Sequence, residues 1–140
     1  MKKSIVLDAN ILIRAVLGEK EMRLLENHHD RVLFYAPNSC FEDAAKYLPL
    51  ILVKKGVAED LLIPVIERLK LLVAPVEDEL LESQKAHAMQ RLNVRDAHDW
   101  PILALALALD CAIWTEDKDF FGCGIAVWNT QNIQYFLQDD

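Results

Sequence analysis

Short apolar runs that suit buried strands alternate with longer stretches of helical periodicity along this chain. The runs that predict strands are residues 4–7, 31–35, 73–76, 112–114 and 125–128. The stretches that predict helices are residues 10–17, a segment that begins near Ser39, and residues 61–72, 78–92, 100–109 and 130–137. Because strands separated by helices pair in parallel, this alternation predicts a three-layer α/β fold with a central, mostly parallel sheet flanked by helices. The length of 140 residues fits one domain that spans residues 1–140.

One of these helices could also be interpreted as a strand. Residues 103–109 alternate leucine and alanine, and a period of two is typical of strands. Both residue types are strong helix formers, however, and Pro101 suits the first turn of a helix, where its missing N–H costs least. Residues 100–109 are therefore predicted to form a buried helix.

The charge balance and the cysteine count exclude several classes of protein. A net charge of −7 argues against a protein that coats nucleic acid, although a bound cation can reverse the charge at a carboxylate site. Three cysteines without CxxC spacing predict neither a disulfide framework nor a thiolate metal site. No apolar run is long enough to cross a bilayer, and the run after Lys3 is too short for a signal peptide. We expect a cytoplasmic protein without a membrane partner.

Carboxylates stand at the predicted strand ends and helix starts. In chain order they are Asp8, Glu42, Asp96, Asp99, Asp117 and Asp119. Because parallel strands bring their carboxyl ends to one edge of a sheet, we expect these acids to lie close together there. Carboxylate oxygens are the ligands that hard divalent cations prefer. One or two Mg²⁺ or Mn²⁺ ions at such a site would suit phosphodiester hydrolysis.

Each of these acids also has a structural interpretation, as a helix cap or a turn residue. Ser39 and Glu42 match the spacing of a capping box. Asp8 and Asp99 fit N-cap positions, and the other three acids fit loops or turns. The two interpretations are compatible, since the N-terminus of a helix favours a nearby carboxylate whether or not it binds a metal.

Four stretches of the sequence resemble the motifs of one family. They are VLDANILI, the glutamate after APNSCF, RDAHDWPILALALAL and IWTEDKDF, in this order between residues 4 and 132. Together they resemble the PIN-domain ribonucleases, a family that includes the VapC-like toxin nucleases. The resemblance implies Mg²⁺- or Mn²⁺-dependent endonucleolytic cleavage of RNA that leaves a 5′-phosphate and a 3′-hydroxyl. It also implies a homodimer and, in many members, a cognate antitoxin as a partner.

Position by position, the resemblance places the four core catalytic and metal-binding acids on Asp8, Glu42, Asp99 and Asp117. It places supplementary metal ligands on Asp96 and Asp119, and supporting polar residues on Asn10 and Thr115. Two positions depart from the family pattern. Ala9 stands where Ser or Thr is frequent, and Asp43 beside Glu42 leaves open which acid points into the site. The family spacing favours Glu42.

Basic and aromatic residues near the expected site have two interpretations each. The candidates to hold substrate phosphates, with solvated surface charge as the alternative, are Arg14, Lys46, Arg95 and Lys118. The four histidines show no paired metal spacing, and His98 is interpreted as a loop residue. Trp100, Trp114 and Trp128 adjoin apolar runs, which favours core positions over base stacking.

Two other functions remain open from the sequence. A phosphotransferase with Asp8 as a covalent nucleophile often needs a second aspartate two residues later, where Asn10 stands here. A non-catalytic PIN-like module that binds RNA or protein would keep the fold without cleaving a substrate. The chain lacks a GxSxG elbow and a glycine-rich phosphate loop, which argues against a serine hydrolase and a nucleoside triphosphatase.

Overall fold

The computed structural model describes residues 2–18, 20–92 and 97–138. Five strands form one sheet in the order β3-β2-β1-β4-β5, and every neighbouring pair is parallel. The strands are β1 (Lys3–Leu7), β2 (Val32–Pro37), β3 (Val73–Val76), β4 (Ala112–Trp114) and β5 (Val127–Trp128). The α/β fold with a parallel sheet flanked by helices is therefore confirmed.

Seven α-helices occur among the described residues. They are α1 (Ala9–Leu17), α2 (Lys20–His28), α3 (Asn38–Lys55), α4 (Leu62–Leu72), α5 (Lys85–Leu92), α6 (Trp100–Leu109) and α7 (Ile133–Leu137). Short 3-10 segments cover Glu59–Leu61, Asp78–Gln84, Ala97–Asp99 and Lys118–Phe120. Helix α3 ends where Gly56 adopts a left-handed conformation with φ of 69°, the usual C-terminal stop. None of the described helices is both long and apolar enough to cross a membrane.

The buried strands and helix α6 hold the core together. Ile5, Val6 and Leu7 have no exposed surface, as expected for a strand that is covered on both faces of a parallel sheet. Helix α6 contacts β1, β2 and β4 of the sheet and also α5. Six consecutive residues of α6, from Pro101 to Ala106, are buried, so the predicted buried helix is confirmed.

The structure differs from the sequence predictions at three segments. Helix α2 was not predicted because its side chains are mostly polar and only Glu21 and Leu25 are buried. Residues 78–92 form a 3-10 segment, Asp78–Gln84, followed by α5 rather than one continuous helix. The 3-10 segment packs against α6, a tertiary contact that the local helical pattern does not include. Helix α7 begins only at Ile133, because Asn129 and Asn132 exchange side-chain-to-backbone hydrogen bonds of 2.9 and 3.0 Å in a preceding turn.

The order of the strands creates a crevice at one edge of the sheet. The chain runs outward from β1 to β2 and β3, then returns to place β4 on the other side of β1. Ligands of open α/β sheets bind where the strand order reverses in this way, beyond the carboxyl ends of the strands. Here that point lies between β1 and β4, whose last residues Leu7 and Trp114 are paired. Asp8 and Thr115 therefore enter the crevice side by side.

Candidate metal centre

Asp8 leaves β1 directly into the crevice and caps helix α1. Its side chain is buried, with 6 % of the residue exposed. Oδ1 accepts a hydrogen bond of 2.6 Å from the Ala9 backbone N–H, and Oδ2 accepts bonds of 2.6 Å from Thr115 Oγ1 and 3.1 Å from Asn10 Nδ2. These donors hold the carboxylate in one orientation. The N-cap interpretation of Asp8 is confirmed, and it does not exclude a chemical role.

The pKa of Asp8 is raised above its ordinary value. Burial of the carboxyl is the largest cause, and the nearby charge of Asp117 adds to it. The hydrogen bonds from Thr115, Ala9 and Asn10 lower the pKa and oppose the effect without cancelling it. The hydrogen bonds therefore do not fully stabilise the ionised form of Asp8, and a cation beside the carboxylate would stabilise its negative charge.

Thr115 and Asn10 connect Asp8 to the loop that follows β4. The Thr115 hydroxyl accepts a hydrogen bond of 2.9 Å from the Asp117 N–H while it donates to Asp8. Asn10 Oδ1 accepts a bond of 3.2 Å from the Glu116 N–H. Two polar side chains thus set the spacing between the two acids. These contacts fit the predicted role of Thr115 and Asn10 as supporting residues that position the acids.

Three aspartates bring carboxylate oxygens close enough to share one ion. Asp99, Asp117 and Asp119 each offer one oxygen, and these oxygens lie within 4.8 Å of one another. Asp99 and Asp117 are half-buried and Asp119 is exposed. The Asp119 N–H donates a bond of 2.9 Å to Asp117 Oδ1, which fixes the loop. An all-carboxylate donor set fits a hard divalent cation such as Mg²⁺ or Mn²⁺ and does not favour a soft metal.

A cavity of about 220 Å³ lies at the same place. Its acidic lining residues are Asp8, Asp43, Asp78 and Asp99. Its other lining residues are Ser39, Cys40, His98, Trp100, Pro101 and Ile102. Asp99 belongs both to this lining and to the three-aspartate cluster, so the cluster and the cavity are parts of one acidic site. Four of the six predicted metal ligands meet there: Asp8, Asp99, Asp117 and Asp119.

The preference for Glu42 over its neighbour is not supported by this arrangement. Glu42 and Asp43 are both exposed, and Glu42 Oε1 accepts a bond of 3.3 Å from Asn38 Nδ2 in the same helix. The adjacent Asp43 lines the cavity instead. The predicted capping box is also absent, because Pro37 occupies the N-cap of α3 without a side-chain cap bond. Helix phase explains the difference, since adjacent residues point about 100° apart around a helix.

Asp78 is a cavity acid that the sequence prediction missed. Its Oδ1 accepts a bond of 3.2 Å from the Ser39 N–H, a donor in the first turn of α3, across 39 residues of sequence. It stands two residues after β3, whose last residue Val76 pairs with the last residue of β2. The strand-end rule that selected Asp8 and Asp117 would have selected Asp78 as well.

The basic candidates do not reach the cavity. Arg14, Lys46 and Lys118 are exposed, and none of the three lines it. Lys46 lies over the ring of its neighbour Tyr47. Arg95 and the predicted ligand Asp96 lie outside the described residues.

The aromatic and imidazole side chains divide between the core and the cavity. Trp114 is fully buried, and its Nε1 donates a bond of 3.2 Å to Thr130 Oγ1. Trp128 is half-buried and packs on Phe136. These two match the predicted core positions. Trp100 also packs partly against the core, as predicted, and both it and His98 line the acidic cavity.

Cys40 lines the cavity but is unsuited to act as a nucleophile. Burial raises its pKa well above the ordinary value, and the charges of Asp8 and Asp43 raise it further. A thiol needs to ionise before it attacks, so Cys40 stays protonated and unreactive at neutral pH.

A larger cavity of about 580 Å³ lies at the opposite edge of the sheet, near the starts of β1 and β4. Its lining includes Lys3, Asp110, Cys111 and Phe136, with Asp110 as its one carboxylate among the described residues. One carboxylate cannot share a cation with a second one, so this cavity is not a candidate metal site although it is larger than the acidic cavity.

Fold and site together define a class: an α/β protein with a parallel sheet and a carboxylate site able to hold a divalent cation at the point where the strand order reverses. The family model described as PIN domain matches residues 6–138, and the chain belongs to the PIN-domain family. PIN domains have a nuclease-type fold and bind RNA. No curated protein sequence matches the chain.

Proposed function

We propose that this protein is a divalent-metal-dependent endoribonuclease that hydrolyses phosphodiester bonds in RNA. The observation that carries the proposal is the set of oxygens of Asp99, Asp117 and Asp119 within 4.8 Å of one another, beside the buried Asp8. Mg²⁺ or Mn²⁺ is the proposed cofactor, because the donor atoms are carboxylate oxygens. Membership of the PIN-domain family supports the reaction class.

The side chains of the site have separable tasks in this proposal. Asp99, Asp117 and Asp119 hold the cation, and Asp8 completes its negative surroundings from the end of β1. Thr115 and Asn10 keep Asp8 and the Asp117 loop at a fixed spacing. Asp43 is our candidate for the remaining core acid, in place of Glu42, because it lines the cavity.

When bound, the cation supplies positive charge to the scissile phosphate and activates water for hydrolysis. The protein itself offers no activated nucleophile in the cavity, since Cys40 stays protonated and Ser39 is not hydrogen-bonded to a base in the described contacts. Hydrolysis by water leaves a 5′-phosphate and a 3′-hydroxyl in this proposal.

Cleavage of a single-stranded RNA by the purified protein tests the proposed function. We expect cleavage in the presence of Mn²⁺ or Mg²⁺ and none in EDTA. Asp117→Asn and Asp99→Asn should each lower the rate by more than about 100-fold, because each removes charge that holds the cation at the reacting phosphate. Glu67→Gln, an exposed acid on α4, is the matched control and should leave the rate unchanged.

Circular dichroism should show that the variants remain folded. Clean wild-type protein that binds RNA but never cleaves it in either metal would overturn the nuclease and favour a non-catalytic binding module. Equal cleavage by wild type and Asp117→Asn would point to a contaminating nuclease.

We further propose that the protein is cytoplasmic and acts as the toxin of a toxin–antitoxin pair, as the likeness to VapC-like nucleases implies. Its expression in a bacterial host should then arrest growth, and Asp117→Asn should relieve the arrest. Co-expression of the product of the neighbouring reading frame should also relieve it if that product is an antitoxin. Normal growth of cells that contain active protein would contradict the toxin role.

A homodimer is also part of the proposal, supported by exposed apolar side chains on α3, on α4 and in the segment between them. This set, called the α3–α4 face below, consists of Tyr47, Leu50, Val53, Val57, Leu61 and Ile63. Each of these residues is between 44 % and 73 % exposed. Exposed apolar side chains that form a patch mark an interaction site.

A further inference from the structure

Trp100 is the tryptophan that lines the acidic cavity. It is the first residue of α6 and directly follows Asp99, a member of the three-aspartate cluster. It is half-buried and packs partly against the core, and its remaining surface lies beside the carboxylates of the cavity. Trp114 is fully buried and Trp128 packs on Phe136, and neither lines the cavity. The position of Trp100 thus differs from that of both other tryptophans.

Lys85 places a positive charge next to this indole. It is the first residue of α5, it is half-buried, and its Nζ lies 5.0 Å from the centroid of the Trp100 ring. Within the described part of the chain its ammonium forms no ion pair with a carboxylate. The ammonium covers one face of the indole, so a base can stack on that face only after Lys85 moves onto the phosphate. The charge-assisted bond gained there is stronger than the cation–π contact that is lost.

An aromatic ring and an ammonium together can contact the two parts of a nucleotide. Bases stack on aromatic side chains regardless of their identity, and lysine pairs with the phosphate as a point charge. Lys85 does not line the cavity, but its charge beside Trp100 reduces the repulsion of a phosphodiester by the four aspartates that do. Both faces of a base inside a duplex are already covered by neighbouring bases, so only an unpaired nucleotide can stack there.

We propose that Trp100 and Lys85 form a subsite for an unpaired nucleotide next to the scissile phosphate, with the base on the indole and its phosphate on the ammonium. The subsite rests on the proposed nuclease function and adds to it a contact for the base and the phosphate of one nucleotide. It is independent of base identity.

Steady-state cleavage of a fluorescent single-stranded RNA oligonucleotide in Mn²⁺ tests the subsite. Trp100→Leu should raise KM by about 5- to 100-fold, the range that corresponds to the loss of one stacked base, and leave kcat within a few-fold. Trp100→Phe should recover most of the loss. Lys85→Met should raise KM several-fold, and Lys85→Arg should restore it.

The chain offers a matched control for the lysine. Lys70 lies 5.8 Å from the ring centroid of Phe41, a lysine–aromatic pair whose members do not line the cavity. Lys70→Met should therefore leave KM unchanged. Duplex RNA of the same sequence should be cleaved poorly by wild type.

An RNA with one abasic nucleotide beside the scissile bond separates stacking from a structural role. The KM of wild type on this substrate should rise by about the same factor as the KM of Trp100→Leu rises on intact RNA. The KM of Trp100→Leu on the abasic substrate should show no further rise, because both changes remove the same contact. This substrate and Lys85→Met keep the proposal testable if Trp100→Leu fails to fold.

Three results would overturn the subsite: KM values of folded Trp100→Leu and Lys85→Met within twofold of wild type, additive losses on the abasic substrate, or duplex cleavage as efficient as single-strand cleavage. If wild type cleaves no RNA, the nuclease proposal fails and fluorescence anisotropy with the same oligonucleotide decides the subsite. Weaker binding by Lys85→Met than by Lys70→Met would then support the subsite, and equal or absent binding would overturn it.

Discussion

The carboxylate of Asp8 accepts three hydrogen bonds, yet burial still raises its pKa. The same side chain caps α1 and lies beside Asp117. Burial and the second charge destabilise its ionised form, although an uncharged residue such as asparagine would cap the helix as well. Groups whose pKa is perturbed by burial and by a like charge concentrate at functional sites. The perturbed pKa of Asp8 therefore marks this residue as part of a functional site.

The raised pKa of Asp8 predicts how stability depends on pH. A group whose folded pKa lies above its unfolded value of 3.8 stabilises the fold below that pH, and this contribution is lost as pH rises through the folded pKa. Asp8→Asn cannot ionise. In EDTA, the free energy of unfolding of Asp8→Asn minus that of wild type should therefore increase from about pH 4 to about pH 7. Urea titrations at both pH values measure it.

Added Mn²⁺ should reverse this comparison at about pH 7, because a cation that binds only the folded protein stabilises wild type more than the variant. Asp60→Asn, which changes an exposed acid, is the control. A difference that stays constant or shrinks with pH in EDTA would show that burial of Asp8 does not dominate its titration.

The cysteines give a second prediction at the residue scale. Burial raises the pKa of Cys111 to about 11 and that of Cys40 well above 9.0. Since only the thiolate reacts, both should be alkylated by iodoacetamide at about pH 8 at least tenfold more slowly than a free cysteine peptide. Peptide mass mapping with and without urea measures the rates. Labelling of native Cys111 as fast as that of the unfolded chain would contradict the assignment.

Among the elements, α6 links the core to the site. Its buried residues pack on three strands, and its N-terminal end lies at the cavity, with Trp100 as its first residue and Asp99 just before it. Interiors are close-packed, so the position of the helix is determined by its buried side chains. The site therefore depends on apolar residues that do not touch it.

Two leucines of this helix provide a matched pair. Leu103 has no exposed surface and Leu109 is 39 % exposed. Leu103→Ala should lower the free energy of unfolding by about 2–5 kcal/mol, because it removes buried methyl groups and leaves a cavity. Leu109→Ala should cost roughly 1 kcal/mol or less, since surface substitutions perturb stability little. Urea denaturation measures both, and similar losses at the two positions would mean that the buried face of α6 is wrongly assigned.

At the scale of the whole molecule, the α3–α4 face is a candidate for contact with a second copy, because six large apolar side chains are exposed on it. Stable interfaces cover about 800 Å² on each partner, so this contact would include the polar surroundings of the face as well. Lys54 and Lys55 precede Glu59 and Asp60 in the sequence, and all four are exposed. In a twofold contact the same surface of both copies meets, so the lysines of one copy can face the acids of the other.

Light scattering after gel filtration tests the dimer. Wild type should show twice the 16.0 kDa mass of one chain, and the double variant Leu50→Asp with Ile63→Asp should be monomeric. Leu71→Asp is the control, because Leu71 is 84 % exposed at the end of α4 and lies outside the α3–α4 face. Monomeric wild type, or dissociation by Leu71→Asp alone, would contradict this assignment.

Much of this molecule follows from local sequence patterns. The apolar runs of the strands and the buried helix α6 were predicted correctly because each depends on nearby residues alone. The acids at strand ends were found in the same way, and their role as metal ligands stays a prediction. The family likeness also lies in such local motifs, and the family model confirms it. That residues 1–140 form a single domain stays a prediction.

Tertiary structure decided the rest, because it depends on distances between segments and on the rotation of helices. The return of the chain to place β4 beside β1 brings Asp8 next to Thr115 across 107 residues. The rotation of α3 on the sheet puts Asp43 rather than Glu42 into the cavity. The packing of α5 on α6 sets Lys85 over Trp100. Local sequence patterns do not predict these contacts, because the direction of a helical side chain depends on the elements that the helix packs against.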